Sequence, residues 1–192
     1  MIPSRRVFED LAGEYDRWFE DNRAVYEAQV RVLQGAVPRA GRGLEVGTGS
    51  GRFAEPLGIG YGIDPSRTLL ERAKSRGIGV VQGEGEHLPY RAGSFDYVLM
   101  MTVICFLDDV AAVFNEVIRV LRPGGVLVVG FIEQGGEIEE HYRNEKTKGR
   151  FLRYARYWSA DEVTRLLEDA GFTNVPASRR SRGFCVMDGR KP

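Results

Sequence analysis

The chain carries no excess charge of either sign: 27 Lys plus Arg stand against 27 Asp plus Glu, for a formal net charge of zero over 192 residues. A generic nucleic-acid or membrane-surface binder shows a basic excess, so the balance argues against both and leaves only local basic patches to consider. Long hydrophobic runs are also absent. The longest, residues 97–107 (YVLMMTVICFL), falls far short of the ~20 residues that a membrane-spanning helix needs. The opening MIPSRRVFED reaches acidic residues before any apolar segment, which is not the pattern of a secretory leader. Cysteine is scarce. Cys105 and Cys185 lie in apolar segments without metal-type spacing, so two buried free thiols are expected rather than a disulfide or a zinc site. A reduced, cytoplasmic setting is the expectation. The length suits one domain, and 43% apolar with 28% charged residues suits a folded one.

Glycine is what the chain has in excess, 24 residues against a usual share of ~7%. Thirteen of them fall between Gly41 and Gly93. Glycine is needed where backbone turns tightly or approaches a ligand, so this segment is the expected ligand-bearing part.

Around it, short apolar runs alternate with amphipathic ones. Strands are predicted at Gly43–Val46, Ile59–Ile63, Gly79–Gln82, Phe95–Met100, Gly125–Phe131, Phe172–Ser178 and Gly183–Asp188. Helices are predicted over the N-terminal stretch, over Arg67–Arg76 behind the cap Ser66, over Val110–Leu121 behind Asp109, and from the capping box Ser159/Glu162 to Gly171. Alternation implies parallel pairing, because parallel neighbours need a crossover; the last two strands lack one and must pair antiparallel. The expectation is a seven-stranded α/β sheet with five parallel strands and a C-terminal hairpin. In domain terms it divides into an N-terminal helical cap (1–40), a core (41–131), an insertion (132–158) and a C-terminal helix with hairpin (159–192).

Residues 44–54 read LEVGTGSGRFA. A strand ends at Val46 and glycines follow at 47, 49 and 51, on the edge of an open α/β sheet where ligands bind. Asp64 ends the second strand, where a carboxylate can accept both ribose hydroxyls; capping of the helix that follows is the lesser alternative. The third glycine comes one residue early for a dinucleotide fingerprint, and Arg52 occupies the fingerprint position. Glu45, two residues before the first glycine, repels a pyrophosphate and attracts a cation. A nucleoside with a cationic, non-phosphate substituent fits these residues, and S-adenosylmethionine is one. An NAD-linked oxidoreductase and a cofactor-binding module without methyl transfer are the alternatives.

The stretches Leu44–Ala54, GIDPS (62–66), GEGEHLPY (83–90), SFDYV (94–98) and LRPGG (121–125) resemble, in order and spacing, class I S-adenosylmethionine-dependent methyltransferases. The chain looks most like the type-11 branch related to ubiquinone and menaquinone biosynthesis enzymes. The resemblance implies a Rossmann-like, doubly wound sheet with helices on both faces. It implies that Gly47 and Gly49 approach the methionine part of the cofactor, that Glu45 helps orient its ammonium, and that Asp64 binds the ribose with Pro65 and Ser66 beside the adenine. Glu84, commonly Asp in the family, would meet the adenine amino group, and the backbone of Gly85 a ring nitrogen. Met101 would offer its carbonyl to the ammonium, and Tyr15 would close over the methionine end, though Tyr15 and Trp18 also suit a helix core.

No acid–base pair stands out, and no catalytic residue is named. His87 reads as a loop residue; His141 falls in the insertion and can face an acceptor. That insertion mixes Arg143, Lys146, Lys148, Arg150, Arg153 and Arg156 with Tyr142, Phe151, Tyr154 and Tyr157. It suits a solvated helix pair, a lid, or a surface that grips RNA. No Asp/Asn-Pro-Pro-aromatic motif follows the fourth strand, which argues against exocyclic base amines. A small-molecule acceptor is expected; oligomeric state is not legible.

Overall fold

In a computed structural model, which describes residues 3–144, 151–175, 179–181 and 183–192, the alternating signals become one sheet. Its strands are β1 (Gly43–Val46), β2 (Tyr61–Asp64), β3 (Gly79–Gln82), β4 (Phe95–Met101), β5 (Leu121–Ile132), β6 (Arg179–Ser181) and β7 (Phe184–Arg190). The spatial order is β3-β2-β1-β4-β5-β7-β6. The first five run parallel, whereas β7 is antiparallel to both β5 and β6. The predicted sheet is thus present. Its order reverses between β1 and β4, which opens a crevice at their carboxyl ends.

Helices cover both faces. Three of them, α1 (Pro3–Asp10), α2 (Ala12–Asp21) and α3 (Arg23–Gln34), form the N-terminal part; α4 (Ala54–Leu57) and α5 (Arg67–Ser75) follow β1 and β2. Then come α6 (Val110–Val120), α7 (Glu137–Asn144) and α8 (Ala160–Asp169). Side chains alternate across a strand, so one face of β4 gives Val98 and Met100 to a core with Val113, Phe114 and Val117 of α6 and Val163 and Leu167 of α8. The other face gives Tyr97, Leu99 and Met101 to a core with Phe19, Val30, Leu33 and Ala73. Ser66 caps α5 by accepting from Leu69 N, Asp109 caps α6 through Ala112 N, and Ser159 with Glu162 forms the capping box of α8.

The clearest departures from the expected boundaries are in β2, β5 and β6. β2 starts at Tyr61 because Gly58 adopts φ 69° and Ile59 N still bonds Ala54 O, so both residues belong to the end of α4. β5 starts at Leu121, pairing with Phe95, and Arg122–Gly125 bulge out before Val126 pairs with Tyr97. The sixth strand lies at Arg179–Ser181 rather than Phe172–Ser178. Phe172 turns inward onto Phe114, Thr173 makes only an isolated bridge with Arg190, and Asn174 at φ 52° leaves strand geometry. Residues 176–178 of that expected strand lie outside the described residues. Both cysteines are buried thiols, as expected. Among the described residues no helix is long and apolar enough to cross a membrane.

Candidate functional site

The glycine loop is shaped by what touches it. Gly47 N and Thr48 N both donate to Ile63 O, at 2.8 and 3.1 Å, which folds the loop back over β2. Gly47 has φ 73°, and a Cβ there would stand 2.4 Å from Val103 Cγ2, so no side chain fits. Gly49 lies under the Tyr15 ring, 3.3 Å from a would-be Cβ. Glu45 is buried one layer beneath the loop rather than on the cavity wall, and accepts from Thr48 Oγ1 at 2.9 Å. Burial pushes its carboxyl up to about 8, against hydrogen bonds from Thr48 and the Ala54 backbone that pull it down.

Asp64 faces the crevice. Its two oxygens accept from Gly49 N at 2.9 Å and Ser66 N at 2.8 Å, so it supports both the loop and the start of α5. Each carboxylate oxygen has a second lone pair, which leaves acceptor capacity for ligand hydroxyls. Burial raises this carboxyl to about 6 despite the two N–H bonds, and the Glu9 charge adds to the rise. Glu9, from α1, accepts from the Ser66 and Thr68 hydroxyls.

The opposite wall is aromatic. Phe8, Tyr15, Phe106 and Phe151 come from four separate places in the sequence. Phe8 meets Tyr15, Phe106 and Phe151 at ring separations of 5.4, 5.0 and 5.2 Å, and Tyr15 meets Phe151 at 5.6 Å. Burial, with the charges of Asp64, Glu45 and Asp16, raises the Tyr15 phenol, which therefore stays protonated. One residue on, buried Asp16 accepts from Ser50 Oγ at 2.7 Å and from Arg52 Nε and Nη2 at 2.8 Å, with Arg76 Nη2 at 3.3 Å. Arg76 also donates to Ser50 O at 2.7 Å. This network clamps α2 onto the glycine loop. Burial alone would raise Asp16, but the Arg52 and Ser50 hydrogen bonds and the Arg76 and Arg52 charges hold it well below the ordinary carboxylate range.

Between loop and cap lies a cavity of about 710 Å³, within the usual range for small-molecule sites. Tyr15, Gly47, Gly49, Asp64, Pro65, Ser66, Glu84, Gly85 and Met101 all line it, so nine of the ten expected cofactor contacts converge and Glu45 stands behind them. Glu84 is exposed at its position and Gly85 is buried. The same wall also includes Trp18, Val25, Gln29, Ile138, His141 and Phe184. Val25, Ala28, Gln29 and Val32 share one face of α3 by their spacing, and that face turns toward the cavity. His87 is exposed and off this wall. Cys105 is also off it: its thiol donates to Thr102 O at 3.3 Å and burial pushes it up to about 12. Lys146, Lys148 and Arg150 of the insertion lie outside the described residues.

Sequence reasoning missed Phe8, Asp16, Phe106 and Glu86. Asp16 gives no motif signal, and its partner Arg52 stood out only as a departure from a glycine pattern. Glu86 belongs to the GEGEHLPY stretch, and no local pattern distinguishes it there.

Residues 44–129 match the family model described as a methyltransferase domain. A solved Thermotoga maritima structure, described as an S-adenosylmethionine-dependent methyltransferase and possible histamine N-methyltransferase, superposes with a TM-score of 0.91 at 34% identity, over 97% of this chain and 99% of that one. A Methanocaldococcus jannaschii protein is 38% identical over 173 residues, covering 90% of this chain and 84% of its own length. The demethylmenaquinone methyltransferase of Staphylococcus aureus is 26% identical over 221 residues, covering 95% and 90%.

Proposed function

Because the chain belongs to the S-adenosylmethionine-dependent methyltransferase family, we propose that it methylates a small molecule seated in the apolar end of the cavity. S-adenosylmethionine supplies a methyl group on a positively charged sulfur, and displacement by an acceptor lone pair leaves S-adenosylhomocysteine. The residues present suit that cofactor: an acid with spare lone pairs at a strand end, a close-approach glycine loop, and a wall of rings beside them. Asp64 holds the ribose hydroxyls, with Pro65 and Ser66 at its side. The Glu84–Glu86 turn faces the adenine. Gly47, Gly49 and the end of β4 at Met101 enclose the methionine part, under Tyr15. Glu45 acts from beneath, by holding Thr48 and Ala54 and so the shape of the loop.

The single observation that carries the acceptor reading is the continuity of the cavity. Asp64 and the glycine loop share one cavity with Trp18, Val25, Ile138 and Phe184. An apolar wall with a few polar groups selects a small ligand by shape. The names of two relatives, a possible histamine N-methyltransferase and a demethylmenaquinone methyltransferase, also point to small acceptors. The protein's part in the displacement is to hold the nucleophile in line with the methyl and to exclude water. A base is needed only if the attacking atom still carries its proton. Glu137, Ile138, His141, Tyr142, Phe151 and Leu152, which line the cavity, close its acceptor end as a lid.

Titration calorimetry tests the site. Asp64→Ala weakens both S-adenosylmethionine and S-adenosylhomocysteine at least about tenfold, the cost of losing a hydrogen-bonded charge. Unchanged affinity removes the ribose assignment. Labelled methyl recovered on an amine, phenol or quinol from a metabolite panel, and not on RNA, establishes the acceptor class; label on RNA alone overturns it.

A further inference from the structure

Two acids of the N-terminal helices grip the candidate site from either side of Asp64. On one side, Glu9 of α1 accepts from the Ser66 hydroxyl, from the Thr68 hydroxyl at 2.7 Å and from Thr68 N at 3.3 Å. Ser66 is buried, and its own N–H is the 2.8 Å donor to Asp64 Oδ1. On the other side, Asp16 of α2 accepts from Ser50 Oγ at 2.7 Å. Ser50 follows Gly49, whose N–H is the 2.9 Å donor to Asp64 Oδ2. A continuous line of contacts thus runs from α1 through Ser66, Asp64 and the glycine loop back to α2. Hydrogen bonds to a charged acceptor are the stronger kind, and the Glu9 carboxylate also meets the positive end of α5.

Each acid adjoins a ring of the cavity wall. Phe8 precedes Glu9 and Tyr15 precedes Asp16; both rings line the cavity, and they meet edge to face at 5.4 Å. Tyr15 lies 3.3 Å from a would-be Cβ on Gly49, so the ring covers the loop closely. A cofactor seated between this ring pair and the glycine loop cannot pass until the rings lift, and the two acids hold them down. We propose that Glu9 and Asp16 are positioning residues that keep the N-terminal helices closed on the cofactor, which enters and leaves through transient loss of these ties. This rests on the cofactor site proposed above. Neither acid lines the cavity; both act through Ser50, Ser66, Thr68 and the arginines around Asp16. Breaking a tie therefore removes no ligand contact. It lowers a barrier that entry and exit share, as lid opening does in enzymes limited by ligand exchange.

The test is surface plasmon resonance of S-adenosylhomocysteine on the immobilised full chain, as wild type, Glu9→Ala, Asp16→Asn, Glu71→Gln and Asp64→Ala, with thermal unfolding of each. In Glu9→Ala and Asp16→Asn the association and dissociation rate constants both rise at least about fivefold, the share of one hydrogen bond to a charged group. Kd moves by less than about threefold, unlike an ordinary contact mutation, whose effect falls mainly on dissociation. Glu71, an exposed acid on α5, changes neither rate. Glu9→Ala, which removes a partly exposed tie, keeps its Tm within about 4 °C of wild type and so stays folded for the measurement. Faster dissociation with unchanged association makes the two acids ordinary affinity residues and overturns the inference. Unchanged rates beside a lower Tm mark a structural brace and overturn it too, as does equal acceleration in Glu71→Gln. Unaltered affinity of Asp64→Ala instead breaks the ribose reading, whatever Glu9→Ala does, and the inference falls with it.

Discussion

Asp16 and Asp64 are buried on two sides of the same glycine loop, and their surroundings are opposite in kind. Asp16 is enclosed by Ser50, Arg52 and Arg76, with charge matched to charge. Among the described residues Asp64 receives only two backbone N–H groups, and Glu86 on the same wall has a buried oxygen with no partner. Burial raises Asp64 to about 6, while its arginines hold Asp16 well below the usual range. The contrast separates two uses of a buried acid. One holds α2 to the loop and is satisfied within the protein. The other is left short of partners where a ligand must supply them, as functional sites commonly trade stability for binding.

The sharpest break in this contrast comes from Asp16→Ala. It strips Arg52 and Arg76 of their shared buried partner, although Glu20 and Glu55 still reach them. We expect a loss of about 2 kcal/mol, discounted for those remaining pairs, and a Tm lower by about 4–8 °C. Because the folded-state value of Asp16 is depressed, its contribution is full at neutral pH and fades as pH falls below the ordinary aspartate value. Thermal melts of wild type and Asp16→Ala therefore converge in acid. Parallel curves down to that range would show that the clamp is not electrostatic.

Asp64 gives the opposite sign. Its folded value of about 6 lies above that of the unfolded chain, so through this residue ligand-free stability declines as pH rises from about 4 to 6. Ribose hydroxyls require the ionised acceptor. Affinity for S-adenosylhomocysteine should rise about tenfold from pH 5 to pH 7, and Asp64→Asn should flatten the profile. A profile in Asp64→Asn as steep as wild type assigns the titration elsewhere.

The smallest effect is expected at Tyr15, which lies beside both regions. Its contacts are chiefly ring contacts, with Phe8, Phe19 and Phe151. Tyr15→Phe keeps them and should alter cofactor affinity by less than about threefold, whereas removing the ring in Tyr15→Ala should exceed that. A large loss in Tyr15→Phe would place a hydrogen bond of the hydroxyl on the ligand.

How much was legible in the sequence follows the same division. The loop, Asp64, and the caps at Ser66, Asp109 and Ser159 were readable because each is a short-range pattern: a turn that only glycine tolerates, an acid at a strand end, a hydroxyl or carboxylate three residues before the N–H it accepts from. The sixth strand was misplaced because Phe172, apolar enough for a strand, is spent on packing against Phe114. Glu45 looked like a residue of the loop mouth, since spacing along a chain does not say which layer a side chain enters. It lies underneath.

Residue order alone settled the parallel winding, the glycine turn and the acid that ends the second strand, since each depends on groups a few positions apart and on the handedness of the chain. Packing decided which rings face one another, which arginines meet Asp16, and which glutamate oxygen is left without a donor. Those outcomes depend on side chains far apart in sequence competing for the same space, and no local pattern records who their neighbours become.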